Sequence, residues 1–358
     1  MKKPLFNLFL GIKLPQTNPS KLLKNLQKLP INSQKSMYFL YSEFLLRSNR
    51  NICYQKTLKK ANFLAIDGKG LLWSQFKVCK KTYQKLSLEN ILPRLFAWVL
   101  KFRFLPRFIV VIIFYFLFTG QLVINIFSLA KAFLLKFNFQ KYTQNQLVLG
   151  RDFFYDLLDL ASQKGWKTVI LAGGTDKAKI LAKLRQRFDN LKVDIWLDNP
   201  NSELMRDIPK VQKPLDSHNL YQAFPRLKKA LDYLKNIQPD LILVSIGGAS
   251  GKQEFFIDSL KKHDLDFTLA TGIGAAVDHL GGGKQQSLSP KWMQKLGLEW
   301  AYRFYKLPYR RKRVWDSVYT LWWWTSLQEF GFYTRVYPES LTISSYIKLI
   351  LGLPLKPV

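Results

Sequence analysis

An Asp-Gly pair, Asp67-Gly68, follows a short apolar stretch, and its carboxylate could remove a proton from an attacking hydroxyl group. Taken alone, such a pair is most often a turn. A carboxylate at the carboxyl end of a sheet strand, however, lies where open α/β sheets bind their ligands. The sequence therefore offers Asp67 as a candidate general base, with a structural turn as the alternative.

A second candidate is Gly173-Gly174, which joins a predicted strand to a predicted helix. Its backbone amides and the N-terminus of the helix could receive a diphosphate. The G-x-G-x-x-G fingerprint of dinucleotide sites is absent, so a tight structural turn is about equally favoured.

A third candidate begins at Gly247-Gly248 and continues through Lys252-Gln253-Glu254. The order brings a cation, an amide and a carboxylate directly after a flexible backbone loop. It is not a Walker loop, because no Ser or Thr follows the lysine and the earlier glycines are wrongly spaced. We interpret these residues as candidate substrate-binding groups.

Three arginines near the end of the chain have helical spacing: Arg303, Arg310 and Arg313. On one face of a helix their guanidinium groups could hold phosphates of a substrate or a lipid. A solvated basic surface is the alternative.

The composition limits the classes of molecule that the protein is expected to bind. The chain has 55 Lys and Arg against 24 Asp and Glu, a net charge of +31, so a polyanion, an anionic bilayer or a phosphorylated substrate is expected. The 27 Phe, 16 Tyr and 10 Trp suit a membrane interface as well as stacked bases. No nucleic-acid recognition motif accompanies the charge, so nucleic acid is not expected as a partner.

The only cysteines, Cys53 and Cys79, indicate neither a disulfide framework nor a zinc site.

The elements that would position these groups alternate between strands and helices. Strands are predicted at residues 37–41, 63–66, 168–172, 194–197, 240–246 and 267–272, and helices at 43–58, 153–163, 177–188 and 220–237. Continuous apolar strands that alternate with helices are typical of a parallel sheet covered on both faces. The sequence therefore predicts an α/β fold with a mostly parallel sheet.

Residues 108–130 form an apolar insert without a charged side chain. Basic residues flank it on both sides: Lys101, Arg103, Arg107, Lys131 and Lys136. The length is enough to cross a bilayer, and a buried core helix is the alternative.

The position of the insert constrains its topology. A single crossing would put Asp67 and the later glycine loops on opposite sides of the membrane, so one site could not assemble. Either the α/β elements form two unrelated domains, or the segment enters and leaves by the same face. The basic flanks favour the second, with a hairpin, a re-entrant segment or an interfacial helix at the cytoplasmic face. Gly120-Gln121 is a plausible bend in such a hairpin.

Taken in order, five motifs resemble those of the WecG/TagA/CpsF glycosyltransferases, glycosyltransferase family 26. They are the stretch 61–68 that ends in Asp67-Gly68, the Gly173-Gly174 turn, Lys252-Gln253-Glu254, the segment from Thr271-Gly272 to Asp278, and Leu298-Glu299-Trp300 with Arg303, Arg310 and Arg313. The likeness covers about residues 36–90 and 146–315 and leaves out the N-terminal extension, the insert and the C-terminal tail.

The resemblance implies a Rossmann-like domain with a C-terminal helical appendage. It also implies an inverting transferase that moves an N-acetylhexosamine, typically N-acetylmannosamine, from a UDP-sugar to a polyprenyl-diphosphate-linked sugar in the synthesis of a cell-surface glycan. By this likeness Asp67 is the base, Gln253 helps to position the donor, and the three arginines meet the charge of the leaving diphosphate. The arginines would replace a divalent cation, so no metal and no cofactor are expected. The other substrate-binding candidates are Gly68, Gly173, Gly174, Gly247, Gly248, Lys252, Glu254, Gly272 and Asp278.

Some positions depart from the family pattern. Phe39-Leu40-Tyr41 stands where the family usually has Thr-x-Asn, Leu147 replaces an arginine, and Leu288 opens the segment that is usually Arg-Ala-Pro. The loss of polar groups there motivates an alternative, a catalytically inactive membrane-bound binding or scaffold homologue.

The predicted organisation has four parts. They are an N-terminal extension (1–35), the Rossmann-like domain (36–90 and 146–296), the membrane-associated insert (91–145) and a basic, aromatic C-terminal appendage (297–358). The insert, with the run Trp322-Trp323-Trp324, would hold the protein at the cytoplasmic face of an anionic membrane. The donor sugar, the acceptor, the linkage and the oligomeric state stay open, a homo-oligomer included.

Overall fold

The computed structural model of the chain describes most of its α/β part and one long helix. The described residues are 8–9, 12–13, 18–68, 106–134, 147–173, 176–198, 220–246, 251–263, 265–274, 276–277 and 299–306, with single positions at 71, 74, 92, 95, 280, 289–290, 293, 308, 311, 315, 318, 322–323 and 325–326.

The strands and helices of this part are numbered in chain order. The strands are β1 (Leu8–Phe9), β2 (Ile12–Lys13), β3 (Lys35–Leu40), β4 (Phe63–Ile66), β5 (Thr168–Gly173), β6 (Val193–Asp198), β7 (Leu241–Ser245) and β8 (Leu269–Gly272). The helices are α1 (Pro19–Gln27), α2 (Ser42–Arg50), α3 (Ile52–Lys59), α4 (Arg107–Leu134), α5 (Gly150–Lys164), α6 (Lys177–Arg187), α7 (Leu220–Ala223), α8 (Pro225–Ile237), α9 (Lys252–Leu260) and α10 (Glu299–Lys306).

The chain divides into two compact units. The α/β unit consists of Pro15–Gly68 and Asn145–Leu288. The second, which we call the insert unit, consists of Met1–Leu14, Lys69–Gln144 and Ser289–Val358. In the insert unit, β1 and β2 form a short antiparallel pair.

The α/β unit is built on a six-stranded sheet with the order β4-β3-β8-β7-β5-β6. Every neighbouring pair is parallel. All five residues of β7 are buried, because a strand in the middle of a parallel sheet is covered on both faces. The predicted α/β fold with a parallel sheet is confirmed.

Helices cover the sheet on both faces. On one face, side chains of β3 and β5 such as Met37 and Ile170 share a core with α1, α5 and α6. Their neighbours in sequence, such as Tyr38 and Leu171, point to the opposite face and are equally buried. On that face α9 contacts β3, β8 and α3.

Two predicted helices are each divided in two, so those predictions were wrong in detail. The helix predicted at 43–58 is interrupted at Asn51, whose extended backbone ends α2 and whose side chain accepts a hydrogen bond from the amide of Tyr54 to cap α3. The helix predicted at 220–237 is interrupted at Phe224. The residue before a proline is pushed out of the helical region, and Pro225 then opens α8.

The apolar insert forms one continuous helix, α4, so the bend predicted at Gly120-Gln121 is absent. An interior glycine weakens a helix without breaking it, and Gln121 donates a hydrogen bond to Asn125 one turn later (3.3 Å). Within α4, Ile109–Ser128 has 20 residues, a mean hydropathy of 2.3 and 33% of its residues buried. It is the one helix of the described residues that is long and apolar enough to cross a membrane, which indicates membrane association.

Candidate active site

Asp67 lies directly after β4, at the carboxyl edge of the sheet. Its amide donates a hydrogen bond to the carbonyl of Leu40, the last residue of β3 (2.7 Å). After the insert the chain returns to the same place, because Leu147 pairs in parallel with Ile66 and the amide of Val148 donates to the Ile66 carbonyl (2.9 Å). Asp67 is therefore held between the end of β3 and the segment that opens α5.

Gly150, the first residue of α5, makes room for the Asp67 carboxylate. A Cβ atom on Gly150 would lie 3.1 Å from Oδ2 of Asp67 and 3.3 Å from Cγ of Phe39. The carboxylate thus lies against the first turn of α5, where the free amides and the helix dipole favour negative charge. Gly150 was not among the predicted site residues, because a single glycine at the start of an amphipathic helix does not by itself indicate a close approach.

Gln253 lies over the end of β8, two strands from β4 in the sheet. A Cβ atom on Gly272 would lie 2.9 Å from Oε1 of Gln253, so only a glycine leaves room for this amide. Gln253 is 2% exposed and Thr271 is fully buried. Nε2 of Gln253 and Oγ1 of Thr271 have no hydrogen-bond partner among the described residues. Buried polar atoms are nearly always paired, so the Gln253 amide marks a position where a polar ligand would complete the bonding. Thr271 pairs in register with Met37, so its hydroxyl points to the opposite face of the sheet from Gln253.

The sheet order places Asp67 and Gln253 near one another along the same edge. β4 and β8 both pair with β3, on its two sides. Parallel strands lie roughly 4.8 Å apart, so the ends of β4 and β8 are about 10 Å apart. A carboxylate and an unpaired amide thus flank the end of β3, where open α/β sheets bind ligands.

The other predicted site residues lie at several separate positions. Gly173 ends β5, which is four strand positions from β4 in the sheet, or roughly 19 Å. Lys252 is buried, with its ammonium nitrogen 5.2 Å from the ring centre of Phe224. Gly68 directly follows Asp67, and Arg303 belongs to helix α10 of the insert unit. Six predicted site residues lie outside the described residues: Gly174, Gly247, Gly248, Asp278, Arg310 and Arg313.

Glu254 belongs to a buried charged cluster that the sequence analysis missed. The guanidinium of Arg47 donates to Oε1 of Glu43 (2.9 Å) and to the hydroxyl of Tyr54 (3.5 Å), and it lies 5.1 Å from the Tyr54 ring centre. Glu254 is 1% exposed, and its Oε2 has no hydrogen-bond partner among the described residues. We call Glu43, Arg47, Tyr54 and Glu254 the Arg47 cluster. From sequence, Glu43 and Arg47 resemble an ordinary surface pair one helical turn apart.

Burial raises the pKa of Glu254 from 4.5 to about 7. Arg47 and the hydrogen bond with Tyr54 oppose this rise, while Glu43 adds to it. The turn before α9 fits closely against the same cluster. Gly251 has a φ of +78° there, and a Cβ atom on it would lie 2.7 Å from Cε2 of Tyr54.

The aromatic residues that depart from the family pattern also lie at this edge. Phe39 is 5% exposed and contacts Phe153 edge to face, with 5.9 Å between ring centres. Tyr41 packs against Phe44, with 4.3 Å between ring centres. The positions where a polar pair was expected therefore present aromatic rings beside Asp67.

Comparison with known proteins gives the class of the chain. The model of the WecG/TagA/CpsF glycosyl transferase family matches residues 132–334, which is more than half of the chain. The chain therefore belongs to this family, as its motifs predicted. The matched range begins after Asp67. The assignment of Asp67 as a site residue therefore depends on the motif order and on the geometry described above.

A similar protein comes from Bacillus subtilis (strain 168). It is named N-acetylglucosaminyldiphosphoundecaprenol N-acetyl-beta-D-mannosaminyltransferase, and it is 26% identical over 178 residues, 49% of this chain and 59% of its own length. The chain thus spans about three fifths of the curated relative that it matches.

Replacing Glu254 by glutamine should change how stability depends on pH. Because the pKa of Glu254 is higher in the folded chain (about 7) than its ordinary 4.5, ionisation of this buried group costs stability as the pH rises between these values. The cost is complete above about pH 7 and absent below about pH 4.5. The difference corresponds to roughly 3 kcal/mol at most, and the pKa of about 7 already includes the attraction to Arg47. The free energy of unfolding of Glu254→Gln, relative to the parent, should therefore rise with pH across this window in urea denaturation.

The matched control is Asp189→Asn, which removes an exposed carboxylate from the turn after α6 and leaves the Arg47 cluster intact. A difference between Glu254→Gln and the parent that does not change with pH would contradict the assignment.

Proposed function

We propose that the protein is an inverting glycosyltransferase that moves an N-acetylhexosamine from a UDP-sugar to a polyprenyl-diphosphate-linked sugar. The observation that carries the proposal is the position of Asp67, at a carboxyl strand end and against the first turn of α5, in a chain of this family. The name of the Bacillus relative specifies a mannosaminyl group and a diphosphoundecaprenol-linked N-acetylglucosamine, which supports this class of donor and acceptor.

In this proposal Asp67 acts as the general base. Its carboxylate accepts the proton of the acceptor hydroxyl while the oxygen attacks the anomeric carbon from the face opposite UDP. The new glycosidic bond forms as the bond between the anomeric carbon and the UDP oxygen breaks, and UDP leaves with the bonding electrons. Attack from the opposite face inverts the configuration at the anomeric carbon.

The donor would be held by groups at the end of β8 and by the appendage. The Nε2 of Gln253, which has no hydrogen-bond partner among the described residues, is suited to a polar group of the sugar. By the family likeness, Arg303, Arg310 and Arg313 would bind the diphosphate, whose negative charge grows as UDP leaves. The glycine-rich turns, with Lys252 and Asp278, would complete the donor site.

The acceptor explains why the protein would work at a membrane. A polyprenyl chain stays in the bilayer, so the transferase must act at the surface where the diphosphate emerges. We place this surface at the cytoplasmic face, where UDP-sugars are available and where basic flanking residues collect. The product would be a lipid-linked intermediate of a cell-surface polysaccharide or a teichoic acid-type glycan.

Asp67→Asn should abolish transfer and leave UDP binding nearly intact, because an amide cannot accept the proton but fills the same space. We expect a loss of roughly 100-fold or more in turnover. The assay incubates membranes that contain the full chain with a panel of UDP-sugars and a prenyl-diphosphate-sugar, and identifies the lipid product by mass.

The control is Asp189→Asn, which should retain activity. Asp189 is exposed and is far in sequence from the end of β4. Undiminished turnover in Asp67→Asn would remove Asp67 from the mechanism. If the parent chain releases no UDP with any donor and acceptor, the inactive scaffold homologue becomes the better explanation.

Gly272→Ala should weaken donor binding through Gln253. The added methyl group would lie 2.9 Å from Oε1 of Gln253 and must displace that side chain. We expect a higher KM for the UDP-sugar and a smaller change in kcat. If the effect passes through Gln253, the double variant Gly272→Ala, Gln253→Ala will lose little beyond Gln253→Ala alone. Additive losses would show that Gly272 acts by another route.

We also propose that transfer needs no divalent metal, because the arginines supply the positive charge at the diphosphate. Activity should persist after treatment with EDTA and exchange into metal-free buffer, and Arg303→Ala should lower it. Loss of activity that added Mg²⁺ or Mn²⁺ restores would contradict this proposal.

A further inference from the structure

Helix α4 has the reverse polarity of a helix in a water-soluble protein. Its exposed positions recur every three or four residues along one face and are nearly all apolar: Ile112, Tyr115, Phe116, Thr119, Val123, Ile126 and Phe127. The buried positions occupy the opposite face and include its two amide side chains: Val110, Phe114, Leu117, Phe118, Gln121 and Asn125. We call these the outer face and the inner face. A soluble helix directs its polar residues outward, toward water.

The exposed part of the outer face is strongly apolar. Phe116 is 79% exposed, Phe127 70% and Ile112 62%. The hydroxyl of Thr119, the one aliphatic polar group of this face, donates to the carbonyl of Tyr115 (2.8 Å), a bond that satisfies it without water. A groove of about 460 Å³ opens along the same face between Leu92 and Phe116.

The inner face is closed by hydrogen bonds to C-terminal residues of the same unit. Nδ2 of Asn125 donates to the hydroxyl of Ser326 (2.9 Å), and that hydroxyl donates to the carbonyl of Trp322 (2.7 Å). The indole nitrogen of Trp322 donates to the carbonyl of Leu122 (2.8 Å). Gln121 joins this chain through Asn125.

The same C-terminal residues make two further contacts within this unit. The rings of Phe118 and Trp323 meet edge to face, with 5.2 Å between centres. The hydroxyl of Thr325 donates to that of Ser74 (2.8 Å), and both residues are fully buried. We call Gln121, Asn125, Trp322 and Ser326 the polar seam.

The arrangement matches the physical requirements of a bilayer. Among helices in hydrocarbon, polar side chains face one another and pair, while the surface that meets lipid is apolar. Ile109–Ser128 has 20 residues and a length of about 30 Å, so the hydrocarbon core can accommodate the whole segment. Left in water, the outer face would be an exposed apolar patch of the kind that soluble monomers avoid.

We propose that α4 is immersed in bilayer hydrocarbon with its outer face against the acyl chains. The C-terminal residues Trp322, Trp323, Thr325 and Ser326 are embedded with it, and the polar seam joins them to its inner face. These four residues are then part of the membrane-embedded structure, and the outer face is the face of α4 that contacts lipid. It stands on the geometry of the insert unit alone and does not require the proposed transferase activity.

The seam is tested by a disulfide in the full-length chain, in vesicles of phosphatidylethanolamine and phosphatidylglycerol. In a parent with Cys53→Ser and Cys79→Ser, the pair Asn125→Cys, Ser326→Cys should cross-link rapidly on mild oxidation, because the two native side chains are in contact. The control pair Val123→Cys, Ser326→Cys places one thiol on the outer face and should not cross-link. Equal rates for the two pairs, or no cross-link at 125 and 326, would overturn the seam.

The outer face is tested by nitroxide labels at Phe116→Cys, Val123→Cys and Phe127→Cys, in the same cysteine-free parent and vesicles. In hydrocarbon each label should be accessible to oxygen and shielded from a water-soluble nickel chelate, and Phe118→Cys, on the inner face, should be shielded from both. Accessibility of the outer labels to nickel would mean that the face meets water. Shielding from both reagents with spin coupling between chains would mean that a second copy covers it. Either result would overturn the proposal, and neither measurement depends on sugar transfer.

Discussion

The parallel pairing of β3 with β4 on one side and with β8 on the other is the constraint on which the site depends. It brings residue 67, at the end of β4, to the same sheet edge as residues 271–272, although about 200 residues separate them in the chain. The pairing of Leu147 with Ile66 then returns the chain after the insert and places the first turn of α5 beside Asp67. Without this return, the carboxylate would lack the favourable field of a helix N-terminus.

Glycines set the spacing of this edge, each for a specific neighbour. Gly150 leaves room for the carboxylate of Asp67, Gly272 for the amide of Gln253, and Gly251 for the ring of Tyr54. Each contact brings a polar or aromatic side chain against bare backbone. Of these three side chains, Gln253 has a buried amide nitrogen without a hydrogen-bond partner among the described residues, which is typical of a position that a ligand completes.

The two units differ in which side chains they bury and which they expose. In the α/β unit, charged groups such as Arg47 and Glu254 are buried and must be compensated by partners, and burial raises the pKa of Glu254 to about 7. In the insert unit, apolar side chains of α4 are exposed and its amides are paired on the inner face. Both arrangements hold polar groups inside, but the described outer face of α4 is apolar, as expected of a surface in contact with lipid.

The sequence by itself determined the class of fold, the strand ends and the chemical candidates, because strand and helix periodicity, glycine turns and motif order are local properties. It placed β4 at 63–66 and Asp67-Gly68 after it, as the structure does. The breaks at Asn51 and Phe224 follow from local signals, the Asn51 cap and Pro225, that helical periodicity does not register. Tertiary structure alone decided the contact of Gly150 with Asp67 and the Arg47 cluster, which depend on distant residues. The physical reason is that burial and partnership, which set the charge and position of a side chain, arise only when separate segments pack together.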